Sequence, residues 1–315
     1  MTATFLQAMQ SGLLVARLKE SSQLLSSCSL CPRQCGVDRL AGEVGYCRTG
    51  ALAEVASYGP HFGEESVLVG SGGSGTIFFC GCNLLCSFCQ NYAISRGEDQ
   101  DCRAVSDREL AAIMIELQEM GCHNINLVTP THVVPQILAA LPYAIAAGLH
   151  VPLVYNCGGY ERVETLRLLD GIIDIYMPDA KFWAPQSGLR YAAAVDYPQK
   201  MRQALREMQR QVGNLHIDAN DLAERGLLVR HLLMPGALEE AEAIFHFLAE
   251  EISPNCYLNI MDQFRPCGEL AGRAETHANI TPAMHAKALQ AAERAGLSRL
   301  GQRDTAALIR RLLSL

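Results

Sequence analysis

Apolar residues recur at two different periods along this chain, and the change of period divides it. Over residues 4–25, Phe5, Leu6, Met9, Leu13, Leu14, Ala16 and Leu18 return at the spacing of one helix face, and Ser26 and Ser27 end the run. A Cys- and Gly-rich stretch to about residue 50 shows no such period, and an extended stretch over 52–69 is broken by Tyr58-Gly59-Pro60. The run Gly70-Ser71-Gly72-Gly73-Ser74-Gly75 reads as a flexible hinge or turn. From there onward, short apolar runs alternate with amphipathic stretches. The runs predict strands at 75–80, 124–129, 151–156, 172–177, 227–233 and 257–262. Each is β-branched or aromatic and continuously apolar, as parallel strands covered on both faces are. Helices are expected between them, at 107–120, 134–147, 161–169, 199–211 and 238–250. Ser106 before Asp107 and Glu109 reads as a capping box, and Glu239 and Glu240 load the first turn of the fifth helix. The stretch 282–314 reads as two helices closing one side.

Six strands with helical crossovers predict an α/β fold built on a parallel sheet. Six units are fewer than the eight that close a full barrel. The expectation is therefore a partial (β/α)6 TIM-like barrel over residues 71–315, preceded by an N-terminal helix and a small Cys-rich metal module over 1–70. In such folds ligands sit at the carboxyl ends of the strands, which makes the strand-end residues the candidates.

Composition narrows the partners. With 49% apolar residues in 315, the chain is long enough for one large core. Net charge is −7 with no Lys/Arg block, so neither nucleic acid nor a membrane surface is expected as a partner. No run approaches ~18 apolar residues, and the N-terminus lacks the basic and apolar regions of a signal peptide. The thirteen Cys are odd in number and clustered, which argues against a disulfide framework and for a reducing, cytoplasmic location.

Cys82, Cys86 and Cys89 fall on one short loop directly after the first barrel strand. A cubane 4Fe–4S cluster has four irons, and three thiolates leave one of them without a protein ligand. An open iron implies that something else binds and reacts there. A zinc loop is the alternative, although structural zinc wants a fourth ligand. Cys28, Cys31, Cys35 and Cys47, interleaved with Gly36, Gly42 and Gly45, form a second set. Four thiolates close a site, so this set reads as structural zinc or an auxiliary iron–sulfur cluster. Cys80 reads as a strand residue, and Cys102, Cys122 and Cys256 as buried small hydrophobes. Cys157 and Cys267, on strand-end loops, are candidates for a further ligand or a hydrogen-atom donor.

Several strand ends carry polar residues. Asn156 precedes Gly158-Gly159, a pair that permits close approach of backbone to a ligand. Asp179 and Lys181 are two apart on an extended segment and point the same way. Arg230 and His231 interrupt an apolar strand, which is costly unless they are paired or line a cavity. Arg230 suits bidentate recognition of a carboxylate or ribose. Met261 and Gln263 are candidates for the substrate side, and the loop 182–199 for shaping access.

The C-x3-C-x2-C loop, with Phe88 before its last Cys and Gly81 leading in, resembles the signature of the radical SAM superfamily. Cys31-Pro32-Arg33-Gln34-Cys35, Gly42-Glu43-Val44-Gly45-Tyr46-Cys47, Asn126-Leu127-Val128-Thr129-Pro130-Thr131-His132 and Tyr176-Met177-Pro178-Asp179-Ala180-Lys181 extend the resemblance to one branch. That branch is the pyruvate formate-lyase activating enzyme-like iron–sulfur proteins with an N-terminal four-Cys region. The resemblance implies a 4Fe–4S cluster on Cys82, Cys86 and Cys89, with S-adenosylmethionine (SAM) chelating the open iron. It implies SAM contacts from Asp179 to the ribose and from Lys181 to the methionine carboxylate; the Gly-Gly-Glu-Pro-like segment that holds the SAM amino group in many such enzymes is absent, and Thr129 and Thr131 are candidates for that role by their place at the second strand end. It further implies reduction by flavodoxin or ferredoxin, and hydrogen abstraction from a substrate such as a glycyl radical enzyme, another peptide or a small molecule. A non-catalytic zinc or iron–sulfur binding protein is the reading from another class.

Overall fold

The computed structural model describes residues 2–99, 101–271 and 279–301. The helix expected over residues 4–25 is two helices, α1 (Thr4–Gln10) and α2 (Leu13–Gln23), because Gly12 between them adopts φ +78°. No helix or strand follows until β1 (Ala53–His61) and the short α3 (Ser66–Val69). The alternating region begins with β2 (Ser74–Phe79), α4 (Tyr92–Ser95), β3 (Arg103–Val105), α5 (Asp107–Glu119) and β4 (Ile125–Val128). It continues through α6 (Val134–Ala146), β5 (Leu153–Cys157), α7 (Val163–Leu168), β6 (Ile175–Pro178), α8 (Pro185–Ala192) and α9 (Tyr197–Val212). The last described elements are β7 (His216–Ile217), β8 (Ala223–Leu232), α10 (Leu238–Phe247), β9 (Tyr257–Met261), α11 (Pro282–Arg294) and β10 (Arg299–Leu300). The stretch expected as two C-terminal helices contributes α11, and its part beyond residue 301 lies outside the described residues.

The six expected strands pair in parallel in chain order, β2-β4-β5-β6-β8-β9. β10 joins β9 in parallel, while β1 runs antiparallel to β2 and β3 to β1, so the sheet stays open between β3 and β10. The protein is thus an α/β partial barrel. Residue 70, expected as a domain boundary, is not a break in the sheet, since β1 is hydrogen-bonded to β2 across it. The pattern of β1 hid it: Gly59 and Pro60 suit an edge-like strand, and its outer half is exposed. The region 182–199, expected as a loop, contains α8. The amides just ahead of it lie beside Glu240, which accepts from the Trp183 and Ala184 N–H groups at 2.8 Å each. Glu239 and Glu240 both stand in the first turn of α10 as expected, and Glu240 also ties α10 to the start of α8. The capping box at Ser106 closes: its Oγ accepts from Glu109 N at 3.3 Å, and the Glu109 carboxylate accepts from Ser106 N at 2.8 Å.

Strand alternation sorts the core into two sides. Ile125, Leu127, Tyr155, Tyr176, Leu227 and Val229 pack outward with the helices. Val154, Ile175, Met177, Leu228 and Tyr257 face inward and meet Val67 and Leu68 of α3. Each such side chain removed from water contributes roughly 1.5–3 kcal/mol. A segment before the barrel thus plugs its inner side. Glu65, just ahead of α3, accepts from Asn259 Nδ2 on β9 at 2.8 Å, joining two parts of the chain 194 residues apart.

One cysteine expectation needs correction. Cys102, read as a buried small hydrophobe, is disulfide-bonded to Cys80 at the end of β2. The antiparallel β1-β3 pairing brings the residue before β3 back to the mouth of β2, a contact that spacing along the chain does not reveal. Cys122 and Cys256 are buried, at 2% and 1% exposure.

Candidate functional site

The three-Cys loop leaves β2 through Gly81, whose φ of +84° turns the chain. An added Cβ there would meet the Cys47 carbonyl oxygen at 2.4 Å. Leu85, inside the loop, also holds a positive φ of 52°. The turn aims amides at sulfur: Leu84 N–H donates to Cys82 Sγ at 3.3 Å, and the Leu85 amide adds a second bond. Burial pushes the Cys82 thiol up and the Cys86 thiol up to about 12, while Lys181 pulls each back. A metal would take the place of those protons. Among the described residues no three Cys, His, Asp or Glu side chains lie close enough to hold one ion. A cubane takes one thiolate per iron, so its ligands need not converge on a point.

The loop opens onto a cavity of about 400 Å³ lined by Cys82, Cys86, Phe88 and Cys89 and by the ends of the parallel strands. Asn156, Asp179, Lys181 and Arg230 meet in it. Arg230 donates to Asp179 Oδ1 at 2.9 Å and to Asn156 Oδ1 at 2.7 Å. Lys181 Nζ lies 2.5 Å from Asp179 Oδ2. Burial alone would push the Asp179 carboxyl up, and Arg230 and Lys181 overcome that and hold it below its ordinary value. For Lys181, burial works against the ammonium, and Asp179 and Cys86 outweigh it, raising its pKa. The Asp-x-Lys strap is held by Tyr197, whose hydroxyl accepts from Lys181 N–H at 2.9 Å. Phe88 lies against the cavity wall with Phe182, Tyr191 and Phe264 at ring separations of 6.0 to 6.1 Å.

Not every expected residue comes to this place. Thr129 lines the cavity with a φ of +60°, rare for a β-branched residue, and its N–H donates to the Asn156 carbonyl at 2.8 Å. Thr131 turns elsewhere. It is 1% exposed, and its hydroxyl donates to the buried Glu161 at 2.7 Å. Cys157 does border the cavity, but its thiol donates to the same Glu161. Gly158 and Gly159, read as room for a ligand, make room for the protein itself. A Cβ on Gly158 would meet Leu84 of the Cys loop at 2.7 Å, and one on Gly159 would meet the Asp179 carbonyl oxygen at 2.2 Å. His231 points outward, its Nδ1 2.6 Å from the Ala180 carbonyl oxygen, and packs edge-on against Phe245. Cys267 donates to the Phe88 carbonyl at 3.0 Å.

Among the cavity residues that no sequence pattern marked are four polar side chains from β1, from the segment before α3 and from β9. Glu64 and Glu65 enter from the segment before α3, and Asn259 from β9, with Glu64 3.8 Å from Arg230. His61 completes the set, 3.9 Å from Glu64. Nothing in the local spacing of His61, Glu64 and Glu65 marks them, because β1 and α3 were not legible as part of the barrel, and Asn259 belongs to no motif although its strand was expected.

The second cysteine set packs behind the first. Cys28, Cys31 and Cys47 are buried and Cys35 is exposed. Burial pushes the Cys31 thiol up to about 12, with Cys47, Glu161 and Cys28 adding to the rise and the Arg33 amide opposing it. Arg39, 1% exposed, donates to the Gly50 carbonyl at 2.6 and 2.8 Å and to the His132 carbonyl at 2.7 Å. His132 Nε2 lies 2.8 Å from the Cys80 carbonyl oxygen, and burial lowers the His132 pKa to about 4, so its ring is neutral at pH 7.

Fold and site together define the class: an α/β protein of parallel strands whose C-terminal ends carry a three-thiol loop on a polar cavity. The chain is 30% identical over 300 residues to the uncharacterised protein MJ0674 of Methanocaldococcus jannaschii, covering 93% of this chain and 82% of that protein, and it belongs to the same family. No family model matches the sequence. Among solved structures it is similar to native anSMEcpe with bound AdoMet, at 11% identity and a TM-score of 0.46 over 68% of this chain and 57% of that one. It is also similar to HydG, a maturase of the FeFe-hydrogenase, at 16% identity and a TM-score of 0.48 over 74% of this chain and 52% of that one. The chain spans little more than half the length of either structure. Among the described residues no helix is long and apolar enough to cross a membrane.

Proposed function

We propose that the protein is a radical SAM enzyme whose chemistry starts at Cys82, Cys86 and Cys89. The observation that carries this reading is one cavity holding three thiols together with Asn156, Asp179, Lys181 and Arg230. Its volume suits a small-molecule cofactor. Cys82, Cys86 and Cys89 would hold a 4Fe–4S cluster with SAM on its open iron, and that pair would supply reductive, hydrogen-abstracting radical chemistry. The chain's own residues bind and orient. Lys181, held by Asp179, offers a fixed positive charge for the methionine carboxylate. Asn156 and Arg230 offer hydrogen bonds to the carboxylate or ribose, and the Phe88 cluster excludes water from one side. Glu64, Glu65, Asn259, Met261 and Gln263 line the remaining wall, where a substrate would sit.

The finer reading completes the scheme. A flavodoxin or ferredoxin delivers the electron, and the four-Cys module carries zinc or an auxiliary iron–sulfur cluster. The substrate is a peptide such as the glycyl loop of a partner enzyme, with a small molecule as the other candidate. Anaerobic reconstitution with iron and sulfide, followed by dithionite and SAM, should yield 5′-deoxyadenosine. A reconstituted 4Fe–4S signal with no 5′-deoxyadenosine would reject the proposal. A glycyl radical doublet formed on a candidate partner would identify the substrate class.

A further inference from the structure

Arg33 lies between Cys31 and Cys35 in the four-Cys module, yet its side chain leaves the module. Nε donates to the Asn83 carbonyl at 3.0 Å, Nη1 to the Ala193 carbonyl at 2.6 Å and Nη2 to the Ala192 carbonyl at 2.8 Å. The guanidinium stacks over Tyr46 of the module at 3.9 Å and faces Tyr160 at 5.2 Å. Asn83 is fixed from the other side as well, its Nδ2 donating to the Tyr160 carbonyl at 2.7 Å. Ala193 holds a left-handed φ of 46°, a strain that a charge-assisted hydrogen bond from Arg33 offsets.

The Asn83–Leu84 peptide unit makes this contact chemically pointed. Its oxygen accepts from Arg33, and its N–H donates to Cys82 Sγ at 3.3 Å. A cation on the oxygen of a peptide polarises that peptide and strengthens the bond its N–H makes, because hydrogen bonds in a chain reinforce one another at low local dielectric. Meanwhile Arg33's own backbone N–H is directed at the Cys31 thiol. One residue is therefore bonded to a thiol of the module and, through a single peptide unit, linked to Cys82 of the loop.

We propose that Arg33 is a positioning residue that tunes the Cys82 thiolate through the Asn83–Leu84 peptide, so that the four-Cys module sets the reduction potential of the metal centre held by the Cys82–Cys89 loop. This rests on the reading of that loop as a cluster site. Hydrogen bonds to the sulfurs are among the factors that set such potentials. A stronger N–H···S bond and a nearby cation both favour the more negative, reduced state. Removing the guanidinium disfavours it.

The test is an EPR-monitored redox titration of reconstituted full-length protein, with iron retention against a chelator followed in parallel. Arg33→Gln should move the midpoint of the Cys82–Cys89 centre to more negative potential and weaken iron retention about 10- to 100-fold, the usual effect of losing a partner of a metal ligand. Arg33→Lys keeps the charge and stem without the fork, and should move the midpoint in the same direction by less. It carries the test if Arg33→Gln does not fold. The Cys31→Ala variant separates the loop's signal from any signal of the module. A wild-type midpoint and wild-type iron retention in a folded Arg33 variant would overturn the proposal. Absence of any iron–sulfur signal in the reconstituted wild type would instead overturn the reading of the loop on which it rests.

Discussion

The two cysteine sets share a ligand chemistry and differ in what holds them. Cys82, Cys86 and Cys89 ride on a loop that issues from β2, and the position of β2 in the parallel sheet is enough to put them at the barrel mouth. Cys28, Cys31, Cys35 and Cys47 lie in a stretch with no helix or strand of its own. That stretch is placed by long-range hydrogen bonds: Arg33 to Asn83, Arg39 to His132, Arg162 to the Ser29 carbonyl at 2.7 Å and Thr165 to the Leu30 carbonyl at 2.7 Å. The first set opens onto a polar cavity and the second packs against protein. The comparison teaches that a regular element delivers a site by topology alone, whereas an irregular module needs side chains that reach out of it.

Cys86→Ala is the sharpest way to break the comparison, with the largest effect. Removing one of three thiols from the open site should abolish the proposed SAM cleavage, a loss beyond about 10³-fold, the order expected when a metal-centred reaction loses its metal. The metal proposed for the four-Cys module should stay bound, measured as residual metal per chain after gel filtration. Loss of metal from both sets together would show that they do not fold as separable units.

Glu161 stands between the two sets, bonded to Thr131, Tyr155 and Cys157 of the barrel and raising the Cys31 thiol of the module. Burial lifts its carboxyl from 4.5 to about 7, against the three hydrogen bonds that favour its charge. The folded state then binds the proton more tightly than the unfolded one. The stability this group contributes is fully present below about pH 4.5 and is lost as pH rises through 7, by about 3 kcal/mol. Glu161→Gln should flatten that part of the pH profile of urea midpoints. An unchanged slope would mean that the carboxyl does not titrate in this window.

The smallest effect belongs to a feature remote from both sets. Ser106→Ala removes the cap of α5 and should lower stability by about 1 kcal/mol, read from a urea midpoint at unchanged m-value. The proposed SAM cleavage and the metal content after reconstitution should match those of the wild type. A change in either would mean that α5 is coupled to the site, which no contact of Ser106 supports.

Much was legible along the chain. The capping box, six parallel strands and the thiol loop all depend on residues within a few positions of one another. Asp179 and Lys181 were legible for the same reason, and so was the burial of Cys122 and Cys256. Thr131 was misplaced because a strand-end loop can turn its hydroxyl to either side, and a buried carboxylate thirty residues on decides which. Cys102 was misread because its partner lies across a strand pairing that Gly59 and Pro60 concealed.

By itself, then, the sequence determined what local physics controls: the alternation of strands and helices, and the spacing that puts Cys82, Cys86 and Cys89 on one loop. Only the tertiary structure decided that α3 plugs the barrel, that Glu64, Glu65 and Asn259 join the cavity, and that Arg33 reaches the peptide beside Cys82. Those contacts join residues 50 to 194 positions apart. No periodicity reports them, because each is selected by the packing of the whole chain rather than by its neighbours.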